Sequence, residues 1–241
     1  MLFAFKHRDE MQRQRQLQDI DPGWYIYDAN QDFARMGVET ELIPNAACPW
    51  KVSDLNRQYV LCSSYPSVLA LPRSMSDQAL RGVAAFRKRG RLPALSWCGG
   101  PELAYASLWR CSQTTEGLMG QKSSEDQALV AAIRKGAGQG HRDLLVIDLR
   151  PRMSAWANKA GGGGFEAYPH CKVIFGGIDN IHCVREAWRS MTAAVNKVND
   201  GEVGTWMKDV ANSCWYDYIG AILSAMFKVV QEILTFKASV M

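Results

Sequence analysis

SEDQALVAAIRKGAGQGHRDLLVIDLR, Ser124 to Arg150, is the stretch on which the fold turns. Ser124-Glu125-Asp126 put hydroxyl and carboxylate groups where a helix N-terminus leaves its first amides unpaired, and the apolar spacing that follows carries an amphipathic helix through Arg134. The glycine-rich KGAGQG ends it. LLVIDLR, Leu144 to Arg150, is then a continuous apolar run beside a helix, which is the pattern of a strand buried on both faces in a parallel sheet. Downstream come a polar, glycine-rich loop (SAWANKAGGGGFEAYPH), a second buried strand (KVIFGGI), the tetrapeptide DNIH and another helix. Upstream, between Tyr59 and Trp97, the apolar runs YVLC, VLALP and LPALSW alternate with a helical segment, Asp77 to Arg87, behind a Ser76 N-cap. Strands alternating with helices make the chain α/β.

At 241 residues, 47% hydrophobic and 22% charged, the chain is long enough and apolar enough to bury a real core. Its formal charge of +4 is too weak to imply nucleic acid, though it is compatible with an anionic membrane surface. The seven cysteines (48, 62, 98, 111, 171, 183 and 214) show no zinc spacing, and the N-terminus has no secretory apolar region. Reduced thiols in the cytosol, packed as small hydrophobes, are the expectation. Residues 6–20 are polar with no apolar face and read as a linker. The longest apolar run, Tyr218 to Phe236, has helical spacing and carries Lys228, Gln231 and Glu232, so it is expected to be an amphipathic core helix and not a membrane span.

Open α/β sheets bind ligands beyond the carboxyl ends of their strands. Two loops leave such ends: one holds Asn158 and Gly161–Gly164, the other Asp179, Asn180 and Ile181. Asn amides both donate and accept without charge, which suits sugar or inositol hydroxyls beside phosphates. The helix after DNIH can aim its first amides at an anion. The blander reading is that Asp179 or Asn180 caps that helix and GGGG is a flexible turn. HCVREAWR, His182 to Arg189, has the bare His-Cys-five-Arg pattern of a cysteine phosphatase. Its intervening residues lack glycine, and Val184, Ala187, Trp188, Met191, Ala194, Val195 and Val198 follow helical spacing. On a helix, Cys183 and Arg189 stand nearly two turns apart and cannot enclose one phosphate. The basic run FRKRGRLP, with Arg87, Lys88, Arg89 and Arg91, is either a contact for acidic headgroups or a solvated turn. His7, His141, His170 and His182 are too dispersed for a metal site, and no GxSxG elbow occurs.

Taken in order, GWYIYD, FARMGV, WKVSDLNRQYVLCSSYP, FRKRGRLPALSW, RCSQ, the Ser-Glu-Asp helix start, DLRP, ANKAGGGGFE and DNIHCVRE resemble the myotubularin phosphoinositide phosphatases, in register from about Gly23 onward. LFAF at Leu2–Phe5 resembles the segment that leaves that family's PH-GRAM domain, so 1–20 is read as a linker and remnant of it, and 21–241 as phosphatase domain. The resemblance implies a cysteine-phosphatase-like α/β fold, with a central, largely parallel sheet flanked by helices. It also implies removal of the 3-phosphate from phosphatidylinositol 3-phosphate or 3,5-bisphosphate by a thiolate, with no metal or cofactor. The family's nucleophile lies in a loop of the pattern HCSDGWDRT, which does not occur in these residues. The chain is therefore expected to stop within the preceding strand (ASVM), to be incomplete at its C-terminus, and to turn over nothing alone. Asn158, Asn180 and Ile181 match family positions that contact the headgroup, while Cys183 falls on an ordinary apolar position. Thr114 stands where the family usually has Pro, and the loop before KVIFGGI is shorter. The implied partners are phosphoinositide headgroups at membranes and other myotubularin-like subunits, with no nucleic acid, for a cytoplasmic protein bound peripherally to membranes. The rival readings are a non-catalytic myotubularin-like regulator and a phosphoinositide-binding adaptor that uses FRKRGRLP.

Overall fold

A computed structural model describes residues 27–41, 43–138, 142–199, 201 and 204–241. The 1–20 linker, LFAF, most of GWYIYD, His7 and His141 lie outside the described residues. The helices are α1 (Ala29–Arg35), α2 (Asp77–Phe86), α3 (Ser124–Gly136), α4 (Arg152–Ala160), α5 (Ile181–Asn199), α6 (Trp206–Asn212) and α7 (Trp215–Phe236). The strands are β1 (Trp50–Ser53), β2 (Leu69–Pro72), β3 (Ala94–Cys98), β4 (Ser107–Arg110), β5 (Leu144–Asp148) and β6 (Cys171–Phe175). Mixed helix and strand are thus as expected.

Three two-stranded pairings carry the sheets: β1–β2 and β3–β4 are antiparallel, and β5–β6 is parallel. Val240 joins the last two pairs by bridging Leu108 and Leu145, parallel to both. Its neighbours lock in on both sides: Trp109 N donates to Val240 O, and Ile147 N to Met241 O, each at 2.8 Å. The expected central, largely parallel sheet is met only in part. Parallel pairing runs from β4 through Val240 to β5 and β6, while β3 is antiparallel and β1–β2 stands apart as a separate sheet.

Alternation along β5 explains its composition. Leu144 and Val146 pack into a large core shared with Trp50, Leu71, Leu80, Leu129 and Ile133. Leu145 points the other way, into a smaller core with Ala106, Ile233 and Val240. A strand with two buried faces has no room for polar alternation, which is why LLVID reads as one apolar run. The large core rests on α2 and α3, which start where the sequence says. Ser76 and Ser123 cap them, accepting from Ala79 N and Asp126 N. Trp50 meets Trp109 edge to face at 4.9 Å, and its Nε1 donates to Tyr105 O. Gly136 is required here, since a Cβ on it would lie 2.1 Å from the Trp50 ring.

Two expectations need correcting. SAWANKA is not loop: Arg152–Ala160 is α4, and the loop begins only at Gly161. Short helix formers follow Pro151, whose fixed φ suits the entry to a helix. The Tyr218–Phe236 run is helical as expected but is not a core helix. Within α7 only Ala225 and Ile233 are buried, and Leu223, Met226, Phe227 and Leu234 are each more than half exposed. By length and composition α7 could also cross a bilayer. Its stripe is real, but most of it faces no described residue.

Candidate headgroup site at the carboxyl edge of the sheet

β5 and β6 end side by side, and the chain leaving them stays in register. Gly176 N donates to Asp148 O at 2.7 Å and Ile178 N to Leu149 O at 2.8 Å. The two candidate loops therefore open on one edge, as their positions after the strands require. Asn158 lies on α4, exposed; its backbone oxygen accepts from Gly163 N at 2.7 Å, and its side-chain amide bonds to no described residue. Asn180 caps α5: its Oδ1 accepts from His182 N at 2.9 Å and from Cys183 N at 3.3 Å. Ile181 follows, 78% exposed. The capping reading thus holds for Asn180, yet capping uses only the side-chain oxygen and leaves its NH2 group to donate elsewhere. Asp179 is engaged differently, accepting from Tyr218 OH at 2.9 Å. That bond is the main reason the Tyr218 phenol is pushed up to about 12.

GGGG is not a uniform flexible turn. Gly161 and Gly162 are exposed, but Gly163 and Gly164 are buried and wedged against the segment after β4. A Cβ on Gly163 would come within 2.8 Å of Gln113 Oε1, and one on Gly164 within 2.4 Å of Thr114 Oγ1. Absence of side chains is what lets the two segments touch.

Around this contact stand residues that the sequence did not single out. Arg150 pairs with Asp148 at 2.6 Å, donates to Gly164 O at 3.1 Å, and contacts Gln113 Oε1. Lys159 pairs with Glu116 at 3.0 Å, and its ammonium lies 5.1 Å from the Phe165 ring centroid. Trp156, Phe165 and Phe175 form an edge-to-face ladder at 5.5 and 5.7 Å that fixes α4 against β6. Arg150 and Gln113 stood inside the strings DLRP and RCSQ. An arginine two residues past a strand-end aspartate was the available signal.

Behind the edge lies a buried ionic cluster. Arg87 is 2% exposed and donates from Nε and Nη2 to the two Asp126 oxygens at 2.7 and 2.8 Å. Its Nη1 reaches Glu166 and, at 2.9 Å, Ser112 O. Tyr168 OH donates to Asp126 at 2.6 Å. Burial works against the charge on Arg87, but Cys111, Glu166 and Asp126 around it outweigh burial and raise its pKa. Burial pushes the Cys111 thiol up to about 12, only partly countered by Arg87. Arg87 is thus the first residue of the basic run and is unavailable to any headgroup, which corrects both readings of FRKRGRLP. Arg91 is half-buried and bonds Ser64 Oγ at 2.7 Å, and only Lys88 and Arg89 of the four face solvent.

HCVREAWR is helical throughout, within α5. Cys183 is exposed there, and Arg189 pairs with Glu186 at 2.7 Å, one turn back. No three described His, Cys, Asp or Glu residues are placed to hold a metal. A shallow cleft of about 460 Å³ lies beside β1 and α2, lined by Asp54, Arg57, Asp77 and Arg81 among others. Its acids offset its arginines, so it offers no preference for an anion.

Comparison with known proteins gives the family of the chain. The chain is 34% identical to myotubularin of Xenopus tropicalis over 243 residues, covering 100% of this chain and 37% of that protein. It is 35% identical to the phosphatidylinositol-3,5-bisphosphate 3-phosphatase MTMR2 of Gallus gallus, covering 99% of this chain and 39% of that protein. Myotubularin of Rattus norvegicus is 34% identical, again with 37% of its length covered. The chain spans somewhat over a third of the length of these relatives. The myotubularin-like phosphatase domain family matches residues 2–241, and the chain belongs to that family.

Proposed function

We propose that the carboxyl edge of this sheet binds the inositol phosphate headgroup of phosphatidylinositol 3-phosphate or 3,5-bisphosphate, as part of a myotubularin-like 3-phosphatase domain. The observation that carries the reading is that the elements leaving the adjacent carboxyl ends of β5 and β6 hold, respectively, the exposed, unengaged Asn158 amide and the Asn180 NH2 beside exposed Ile181. Neutral amides donate to phosphate oxygens and hydroxyls, and Ile181 offers an apolar face to the inositol ring. The relatives support the substrate class, since one is a 3-phosphatase of the 3,5-bisphosphate lipid by name. On this reading the protein acts peripherally at a membrane surface, from the cytoplasmic side.

Turnover is assigned to none of the cysteines here. Cys183 rides an exposed helix, Cys111 is held protonated by burial, and no HCSDGWDRT loop occurs in the 241 residues. This chemistry also fits a non-catalytic, headgroup-binding subunit that acts with other myotubularin-like chains. Titration calorimetry with inositol 1,3-bisphosphate tests the binding. Asn158→Ala and Asn180→Asp are each expected to weaken it about tenfold, the loss of one or two hydrogen bonds to a charged group. Unchanged affinity in both would refute the site.

A further inference from the structure

The turn Glu116–Gln121 carries two apolar side chains outward at its crest. Leu118 is 73% exposed and Met119 is 91% exposed. The turn is tightly made: Gly117 and Gly120 hold left-handed φ of +63° and +66°, Gly120 N donates to Gly117 O, and Gln121 N to Glu116 O. It is also fixed in place. Gly117 N donates to Gly163 O at 2.8 Å, and the Lys159–Glu116 pair ties its base to α4. The crest therefore stands beside the glycine run that follows Asn158, at the rim of the candidate headgroup site. Trp156, on the same α4, is half exposed on that rim, and Lys122 is an exposed cation three residues past Met119.

We propose that the Leu118–Met119 crest inserts into the lipid bilayer that presents the headgroup, while Lys122 and the rim meet anionic lipid phosphates. This inference rests on the headgroup reading above for its choice of occupant. Two exposed, unbranched or singly branched apolar side chains at the crest of a tight turn match a deformable acyl interface, which needs no shaped complement. Apolar residues below with cations and an amphipathic Trp at headgroup level are the arrangement that interfacial binding needs. The rigid base matters, because a tip that ordered only on contact would lose part of its binding to entropy.

Flotation of the chain with phosphatidylcholine/phosphatidylserine vesicles, with and without phosphatidylinositol 3-phosphate, tests this. L118S/M119S is expected to lower vesicle binding by at least about tenfold, from the lost burial of two apolar side chains. L118W is expected to raise it, with both variants required to show the parent chain's cooperative urea transition. Affinity for soluble inositol 1,3-bisphosphate stays unchanged in both variants. Vesicle binding that is absent in the unmodified chain, or indifferent to both substitutions, overturns the inference. The headgroup reading fails separately: there, inositol 1,3-bisphosphate does not bind and phosphatidylinositol 3-phosphate adds nothing, while dependence on the crest persists on the anionic vesicles.

Discussion

Arg87→Met removes the one cation from a buried group of two carboxylates. Arg87 donates to both Asp126 oxygens, to Glu166 and to the Ser112 carbonyl, with its side chain fully buried. The substitution takes the Arg87 donors from Asp126, Glu166 and Ser112 O. Asp126 keeps the Tyr168 hydroxyl at 2.6 Å. Breaking a buried pair by removing one partner costs about 3–5 kcal/mol, because the charge left behind stays desolvated. Against a total stability of about 5–15 kcal/mol, that is a large share. In urea, with a slope near 3 kcal/mol per molar, the midpoint is expected to fall by about 1–1.7 M. Circular dichroism and tryptophan fluorescence should follow the transition together. R87M/D126N/E166Q, which neutralises all three groups in similar shapes, is expected to recover a substantial part of the loss, since no buried charge then remains. A cost for R87M below about 1 kcal/mol would refute the view that this cluster is an interdependent buried unit.

Four smaller predictions accompany it. Gly136→Ala drives a methyl into Trp50 and is expected to cost about 1–3 kcal/mol or more and to weaken near-ultraviolet dichroism, whereas Gly220→Ala, on α7 with open space around it, is expected to stabilise by about 0.5–1 kcal/mol; equal effects would refute the packing argument. Burial raises the thiols of Cys98 and Cys171 to about 11 and that of Cys111 to about 12, above their ordinary value of 9.0. Iodoacetamide at neutral pH should therefore label Cys183 and Cys214 first. Because the folded state holds those three protons longer than the unfolded one, stability should fall as pH rises from about 9 through 11–12; a flat alkaline profile would contradict it. Asn180→Ala loses the α5 cap and is expected to cost about 1 kcal/mol, while Asn180→Asp keeps the cap and should unfold like the parent chain. K88Q/R89Q alters the two exposed basic residues of FRKRGRLP; thermal unfolding and inositol 1,3-bisphosphate affinity should both stay close to those of the parent, and a lost affinity would favour the adaptor reading.

The strand–helix order was legible because burial leaves period and composition in the sequence. LLVID is apolar at every position since its two faces meet two cores, and Ser76 and Ser123 mark helix starts by filling orphan amide bonds. HCVREAWR was readable as helix for a related reason: a phosphate loop needs glycine, and this segment has none. The failures have physical causes too. SAWANKA reads as loop because it runs into GGGG, and the residues alone do not say how far the Pro151 helix extends before glycine ends it. The α7 stripe has correct periodicity, but periodicity reports that one face is apolar and not what stands opposite. At the site, Asn180 offered two readings, and the geometry shows that they are compatible, since cap and ligand use different atoms of one amide.

The basic run was the hardest to read, for it holds residues of opposite roles. FRKRGRLP, RCSQ and GGGGFE are far apart in the chain, yet Arg87 joins all three, through Ser112 O on one side and Glu166 on the other, with Asp126 of α3 between. Charge density alone treats its four cations alike. What separates Arg87 from Lys88 and Arg89 is that α2 ends at Phe86, so Arg87 turns in extended conformation beside Thr114, and its neighbours then leave on a short turn, Lys88–Gly90, into solvent. An exit one residue later would have put Lys88 inside instead, and one residue earlier Phe86. It follows that neutralising the whole run would unfold the cluster behind the site along with any surface contact. Lost headgroup binding in such a variant would measure Arg87's role in holding the Gln113 and Gly164 segments together, and would say nothing of a basic surface.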